Sequence, residues 1–208
     1  CVDRAGIVGN DGETHQGLYD LSFFKLIPNI VIMAPRDFKE LSAMMEYAVR
    51  LKCPVVIRYP RGSEEAIDIP CKELKLGKCE KIKTGKDITI VSIGKMVPKA
   101  LEIATKLKEY KIDVEVINSR FLKPFDNFGV LKSIEKTKNV ITIEDGTSIG
   151  GLSTTVKELI IDNKLKDVKL KSYCYPDKFI EHGSVNELED RYGFNNNEIV
   201  EYIKNSLK

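Results

Sequence analysis

The segment Gly9-Asn10-Asp11-Gly12-Glu13-Thr14-His15-Gln16-Gly17 sets an aspartate and a histidine four residues apart in a glycine-rich stretch. A carboxylate near an imidazole can orient the ring and tune its proton affinity, which suits acid–base or hydrogen-bond chemistry near neutral pH. The same residue types also arise where Asp and His merely satisfy their own loop backbone. A second stretch, Arg58-Tyr59-Pro60-Arg61-Gly62, falls at the carboxyl end of an expected parallel strand. Ligands of open α/β sheets bind beyond such ends, so an arginine there, together with Arg4, could clamp a phosphate. Pairing with a surface carboxylate is the plainer alternative. Arginine is used sparingly: of 33 basic residues only seven are Arg, and five of those seven precede residue 62. A chain that otherwise relies on lysine places the planar, bidentate donor at chosen positions.

Weaker signals lie further along. Glu144-Asp145-Gly146, followed by Gly150-Gly151 before a helix, fits either an anion site at a helix N-terminus or tight helix–sheet packing. His182, just before another helix, reads as capped or exposed, and Tyr173 and Tyr175 read as core or interface aromatics.

These residues need a scaffold, and the alternation of apolar runs with helical periodicity supplies one. Ile30–Met33 and Pro54–Tyr59 read as buried strands around a helix capped by Asp37 and Glu40, with Phe38, Leu41, Met45 and Ala48 on its inner face. That strand–helix–strand unit implies a parallel sheet with a right-handed crossover. Residues 63–76 lack a long periodic pattern and read as a linker. Beyond it, strands are expected at 88–93, 114–117, 140–143 and 168–173. Helices fall around Val97–Leu107, Leu131–Ile134, Gly151–Ile160, Val185–Tyr192 and Asn197–Leu207. The fold class is α/β, divided as 1–62, a linker at 63–76, and 77–208.

Composition narrows the function classes. The 208 residues are 42% hydrophobic and 31% charged, which suits a chain with a real core rather than a disordered one. A net charge of +2 is too balanced for recruitment to nucleic acid by bulk charge, and no apolar run reaches the roughly 20 residues of a membrane span. Five cysteines without a CxxC pair, and only two histidines, offer little for a metal site and suggest reduced thiols in a cytoplasmic protein. The first residue is Cys1, which suggests a piece of a longer chain cut inside a domain.

Taken in order, Asp3-Arg4-Ala5-Gly6, Asp11-Gly12-Glu13-Thr14-His15-Gln16-Gly17, Tyr19-Asp20-Leu21, Ile27-Pro28-Asn29, Ala34-Pro35 and Arg58-Tyr59-Pro60-Arg61-Gly62 form a motif string. Phe121-Leu122-Lys123-Pro124, Glu144-Asp145, Ile149-Gly150-Gly151 and Phe179-Ile180-Glu181-His182-Gly183 continue it. The whole resembles the 1-deoxy-D-xylulose-5-phosphate synthase family, thiamine-diphosphate enzymes related to transketolase. The resemblance implies that residues 1–62 are the end of a pyrimidine-binding domain and 77–208 a transketolase C-terminal domain. It also implies a decarboxylating condensation of pyruvate with glyceraldehyde 3-phosphate, the first step of non-mevalonate isoprenoid synthesis, with thiamine diphosphate and Mg2+ held by regions upstream of Cys1. By the same resemblance, Arg4 and Arg61 bind the aldehyde's phosphate, while Asp11 and His15 hydrogen-bond reacting and acceptor oxygens. A homodimer that includes the missing N-terminal domains is the expected assembly, and the chain alone is expected to be inactive. The alternatives are another transketolase-type subunit, a 2-oxo acid dehydrogenase β subunit, or a non-catalytic dimerisation module.

Overall fold

The computed structural model describes residues 1–63 and 67–207. Among the described residues, eight strands form two sheets and seven α-helices pack around them: β1 (Val31–Met33), α2 (Phe38–Ala48) and β2 (Val55–Ile57) follow a short helix α1 (Asp20–Lys25). Then come β3 (Glu80–Lys83), β4 (Ile88–Ser92), α3 (Met96–Glu109), β5 (Val114–Asn118) and β6 (Phe121–Lys123). The chain ends with α4 (Asn127–Thr137), β7 (Asn139–Thr147), α5 (Leu152–Asp162), β8 (Lys169–Tyr175), α6 (Val185–Arg191) and α7 (Asn196–Ser206).

The larger sheet has the order β3-β5-β4-β7-β8, parallel except for β3, which pairs antiparallel with β5. Its inner strands β4 and β5 are buried along their whole length, as expected where helices cover both faces of a parallel sheet. On one face, Ile103, Leu107, Phe194 and Ile199 close over Ile90 and Val116; on the other, Val130, Ile134, Val156 and Leu159 close over Val91 and Ile117. The helices read from the sequence lie where their periodicity puts them.

The smaller sheet, β2-β1-β6, joins the two halves of the chain. β1 and β2 pair in parallel, Val31 opposite Val55, as the strand–helix–strand pattern requires. Its third strand comes from the other half: β6 runs antiparallel to β1, with Met33 opposite Phe121. Neither β6, β3 nor α1 is evident from periodicity, because each is short. The linker reading of 63–76 falls partly outside the described residues; residues 67–76 hold no helix or strand.

Two local expectations change. In α2 the buried apolar residue is Met44, with Leu41 and Ala48 partly buried beside it, whereas Phe38 and Met45 are 53% and 43% exposed. Asp37 does cap α2, accepting from the Glu40 amide at 2.7 Å. The Glu40 carboxylate, however, takes the Arg36 amide (2.8 Å) and Nε of Arg120 (2.7 Å) instead of closing a capping box. Buried guanidinium is the stronger claimant on that carboxylate. Arg36 and Arg120 also both reach Glu80 of β3, so four buried charges hold α2 to the edge of the larger sheet.

Asp126 anchors a different junction, accepting from the amides of Gly129 (3.1 Å) and Cys79 (3.2 Å). Burial raises its proton affinity, but these amides together with the Cys79 and Lys78 side chains outweigh it and bring the carboxyl below the ordinary 3.8. Its ionised form therefore contributes fully above the unfolded value, and that contribution disappears as pH falls through the lower folded one. Asp126→Ala should cost about 1–2 kcal/mol in urea unfolding at neutral pH. The deficit should shrink on acidification below the aspartate range; a pH-independent deficit would contradict the assignment.

Candidate active site

The chain enters the site beside the carboxyl end of β2. Val2 donates to the Ile57 carbonyl, accepts from Tyr59 (both 2.9 Å), and Ala5 donates to Tyr59 (3.1 Å). This ladder brings Arg4 alongside the Arg58–Gly62 segment. Gly6 and Gly17 then bond each other in both directions, at 3.0 and 2.9 Å, and close the loop that carries Asp11 and His15. The closure demands glycine: a Cβ on Gly17 would lie 2.0 Å from the Arg4 carbonyl oxygen. Across the loop, residues 9–14 make a short 3-10 turn broken at Gly12, whose φ of 66° and ψ of −156° suit glycine alone.

That break decides which side chains meet. Residues four apart are neighbours only on a continuous helix. With the chain turned at Gly12, Asp11 faces the strand end and His15 does not face Asp11. The Asp11 Oδ2 accepts from Nη1 of Arg4 at 2.8 Å and from Nη1 of Arg61 at 2.6 Å. The expected Asp11–His15 pair is thus replaced by an Asp11–arginine pair. His15 is exposed, its Nδ1 2.8 Å from the Thr14 hydroxyl. Arg61 is exposed by 59% and Arg4 by 38%. Beside them opens a cleft of about 520 Å³, lined among others by Ile7, Phe38, Leu41, Tyr59, Pro60 and Lys95.

Arg58, in the same motif, has a different environment. Its guanidinium is buried, with Nε 2.7 Å from Asp20 Oδ2 and Nη1 2.5 Å from Asp145 Oδ1. Desolvation opposes its charge, but the two carboxylates outweigh this and hold its proton affinity above the ordinary arginine value. Of the two readings open for an arginine of this motif, Arg58 takes the carboxylate pairing, with buried partners in place of a surface one; those carboxylates stand in the motif string as Tyr19-Asp20-Leu21 and Glu144-Asp145.

The weaker signals resolve as packing. The α5 N-terminus holds the protein's own Glu144, which accepts from the amides of Leu152 and Ser153, both at 2.7 Å. Burial raises the Glu144 carboxyl in spite of those bonds. Gly151 is required there, since a Cβ would come within 2.1 Å of Glu144 Oε2. His182 is exposed and backs the loop at Gly12, with its Cβ 3.3 Å from where a Gly12 Cβ would stand. Tyr175 is buried against Phe194 and Tyr192.

The family model of the transketolase C-terminal domain matches residues 77–199, more than half of the chain. The chain belongs to the transketolase family. The model of the transketolase pyrimidine-binding domain matches residues 1–65 of this transketolase-family chain as well. Curated relatives named 1-deoxy-D-xylulose-5-phosphate synthase are 40% identical in Natranaerobius thermophilus and 43% in Caldanaerobacter subterraneus, in each case over 100% of the chain. One from Alkaliphilus oremlandii is 44% identical over 98% of it. The chain spans only 33% of the length of each of these three relatives. Among solved structures, one titled a split gene transketolase, inactive beta4 tetramer, superposes with a TM-score of 0.85 at 28% identity, covering 94% of this chain and 64% of that one. Transketolase from Campylobacter jejuni shares the fold, with a TM-score of 0.76 at 22% identity over 98% of this chain and 30% of its own.

Thiamine diphosphate is the cofactor the family implies. Among the described residues no group of three or more His, Cys, Asp or Glu side chains is placed to hold a metal ion.

The Gly17 contact gives a direct check on the loop. Gly17→Ala should destabilise the chain by more than about 2 kcal/mol, because the obstacle is backbone and cannot swing aside. A change in urea midpoint too small to measure would mean the loop does not close on Arg4 in this way.

Proposed function

We propose that this chain is the C-terminal third of a 1-deoxy-D-xylulose-5-phosphate synthase, condensing pyruvate with glyceraldehyde 3-phosphate with loss of carbon dioxide. The observation that carries the reading is the convergence of Arg4 and Arg61 on one carboxylate oxygen of Asp11. Two guanidiniums and one carboxylate sum to one positive charge, and each arginine keeps further N–H donors for an incoming phosphate. Asp11 holds the two cations together before the substrate arrives, so less ordering remains to be done on binding.

In this reading Arg4 and Arg61 grip the phosphate of the aldehyde substrate. That anchoring places its carbonyl by the glycine loop, where His15 hydrogen-bonds the acceptor oxygen and can move a proton to or from it. Thiamine diphosphate, when bound, supplies the stabilisation of negative charge at carbon. The cofactor and Mg2+ are held by regions beyond these 208 residues, so the chain alone does not turn over. The structure titled a split gene transketolase supports this: this chain covers 64% of that one, whose tetramer is titled inactive. Five free thiols suit a reducing cytoplasm, and, among the described residues, no helix is long and apolar enough to cross a membrane. The family's homodimer belongs to the same proposal.

Joining residues 1–208 to the N-terminal two thirds of the Caldanaerobacter relative gives a full-length enzyme for the test. There, Arg61→Ala should raise KM for glyceraldehyde 3-phosphate roughly 10- to 100-fold, the loss of one charged hydrogen-bonding group. KM for pyruvate should stay within about twofold. An unchanged KM for the phosphorylated aldehyde would refute the assignment of Arg61.

A further inference from the structure

Arg58 uses every nitrogen of its guanidinium, and its partners come from two parts of the chain, Gly17–Asp20 and β7. Nε donates to Asp20 at the start of α1 (2.7 Å), Nη1 to Asp145 on β7 (2.5 Å), and Nη2 to the Gly17 carbonyl (3.0 Å). The Gly17 carbonyl also accepts the Gly6 amide, so one oxygen ties Arg58 to both ends of the loop that carries Asp11 and His15. Gly6 is pressed against the same carboxylate: a Cβ there would lie 2.8 Å from Asp145 Oδ2. Arg4 is two residues before Gly6, and Arg61 three residues after Arg58. The Asp145 side chain is wholly buried, and it touches neither Arg4 nor Arg61.

We infer that Asp145, a residue of the C-terminal half, is a positioning residue for the phosphate-binding pair: through Arg58 it fixes Gly17 and Gly6, and with them the separation of Arg4 from Arg61. This rests on the reading of Arg4 and Arg61 as phosphate ligands. The physical reason is that a buried guanidinium cannot lose its proton to escape desolvation and must hold fixed counter-charges. Removing one lets Arg58 shift toward Asp20, and the Gly17 carbonyl it holds shifts with it. The C-terminal half thereby takes part in substrate recognition while remaining out of contact with the substrate.

The isosteric variant Asp145→Asn keeps an acceptor for Nη1 and removes the charge. The readout is the ratio of kcat/KM for glyceraldehyde 3-phosphate to that for unphosphorylated glyceraldehyde, in the full-length enzyme described above. The variant should lower this ratio by about tenfold with pyruvate KM unchanged, and should lower it no further in an Arg61→Ala background. A loss of folded enzyme alone would scale both substrates equally and leave the ratio intact, and that result overturns the inference. If Arg61→Ala lowers the ratio and Asp145→Asn does not, the positioning role fails while the phosphate site stands; if Arg61→Ala leaves it unchanged, the phosphate site itself fails. Should Asp145→Asn not fold, the unaltered protein gives a second reading by hydrogen exchange. The Gly6 and Gly17 amides should be protected to the same degree as the amides of β7, and rapid exchange at both would overturn the inference.

Discussion

A guanidinium taken out of water keeps its charge, and the region around the candidate site is arranged to meet that constraint at Arg58. Asp20 and Asp145 neutralise it, and its Nη2 donates to the carbonyls of Gly17 and Asp145. Because those partners belong to the stretch Gly17–Asp20, where the glycine loop runs into α1, and to β7, satisfying one side chain ties the end of β2 to two segments far apart in sequence. Removing a single partner from such a cluster costs far more than an exposed ion pair contributes. The contrast with Arg4 and Arg61, both substantially exposed and sharing one carboxylate, is chemical as well as geometric. All three guanidinium nitrogens of the buried arginine are engaged within the protein, whereas Arg4 and Arg61 each meet Asp11 through Nη1.

A second buried cluster ties the same two halves from the other side. Arg36 and Arg120 share Glu40 and Glu80, and Asn118 adds its amide to Glu40 at 3.0 and 3.1 Å. Arg36 also bonds Asp37, the cap of α2, so the start of that helix is fixed to β3 and to the turn between β5 and β6. With β6 completing the smaller sheet, the halves share a strand and two ionic clusters as well as apolar surface. A site placed at the carboxyl end of β2 is therefore held rigidly against the larger sheet, which is what a pair of anion ligands on loop and strand end needs.

The sequence carried the long elements plainly. Ile88–Ser92 and Val114–Asn118 are apolar runs bounded by turn residues, and Met96–Glu109 has the spacing of a helix with one buried face. The short elements were not legible, because their burial is decided by distant partners. Glu80-Lys81-Ile82-Lys83 looks like surface until Arg36 and Arg120 claim Glu80, and Phe121-Leu122-Lys123 becomes a strand only beside Ile32 and Met33. In α2, Met44 and Met45 are equivalent by type, and only Met44 joins the buried cluster of Val31, Met33, Ile57, Leu74 and Phe121. The site was legible as a set of residues and not as a set of pairs. Arg4, Asp11 and Arg61 do come together, but the Asp11–His15 spacing suggested a partnership that the turn at Gly12 prevents.

As one anion-binding pair, Arg4 and Arg61 should respond to an anion jointly, which is read from the arginine Nε resonances of the protein, followed by NMR during titration with glycerol phosphate. The Arg4 and Arg61 signals should move together along a single binding curve, with the exposed Arg191, paired with Glu181, unmoved. Separate midpoints for Arg4 and Arg61, or no movement of either while Arg191 responds, would contradict the pairing.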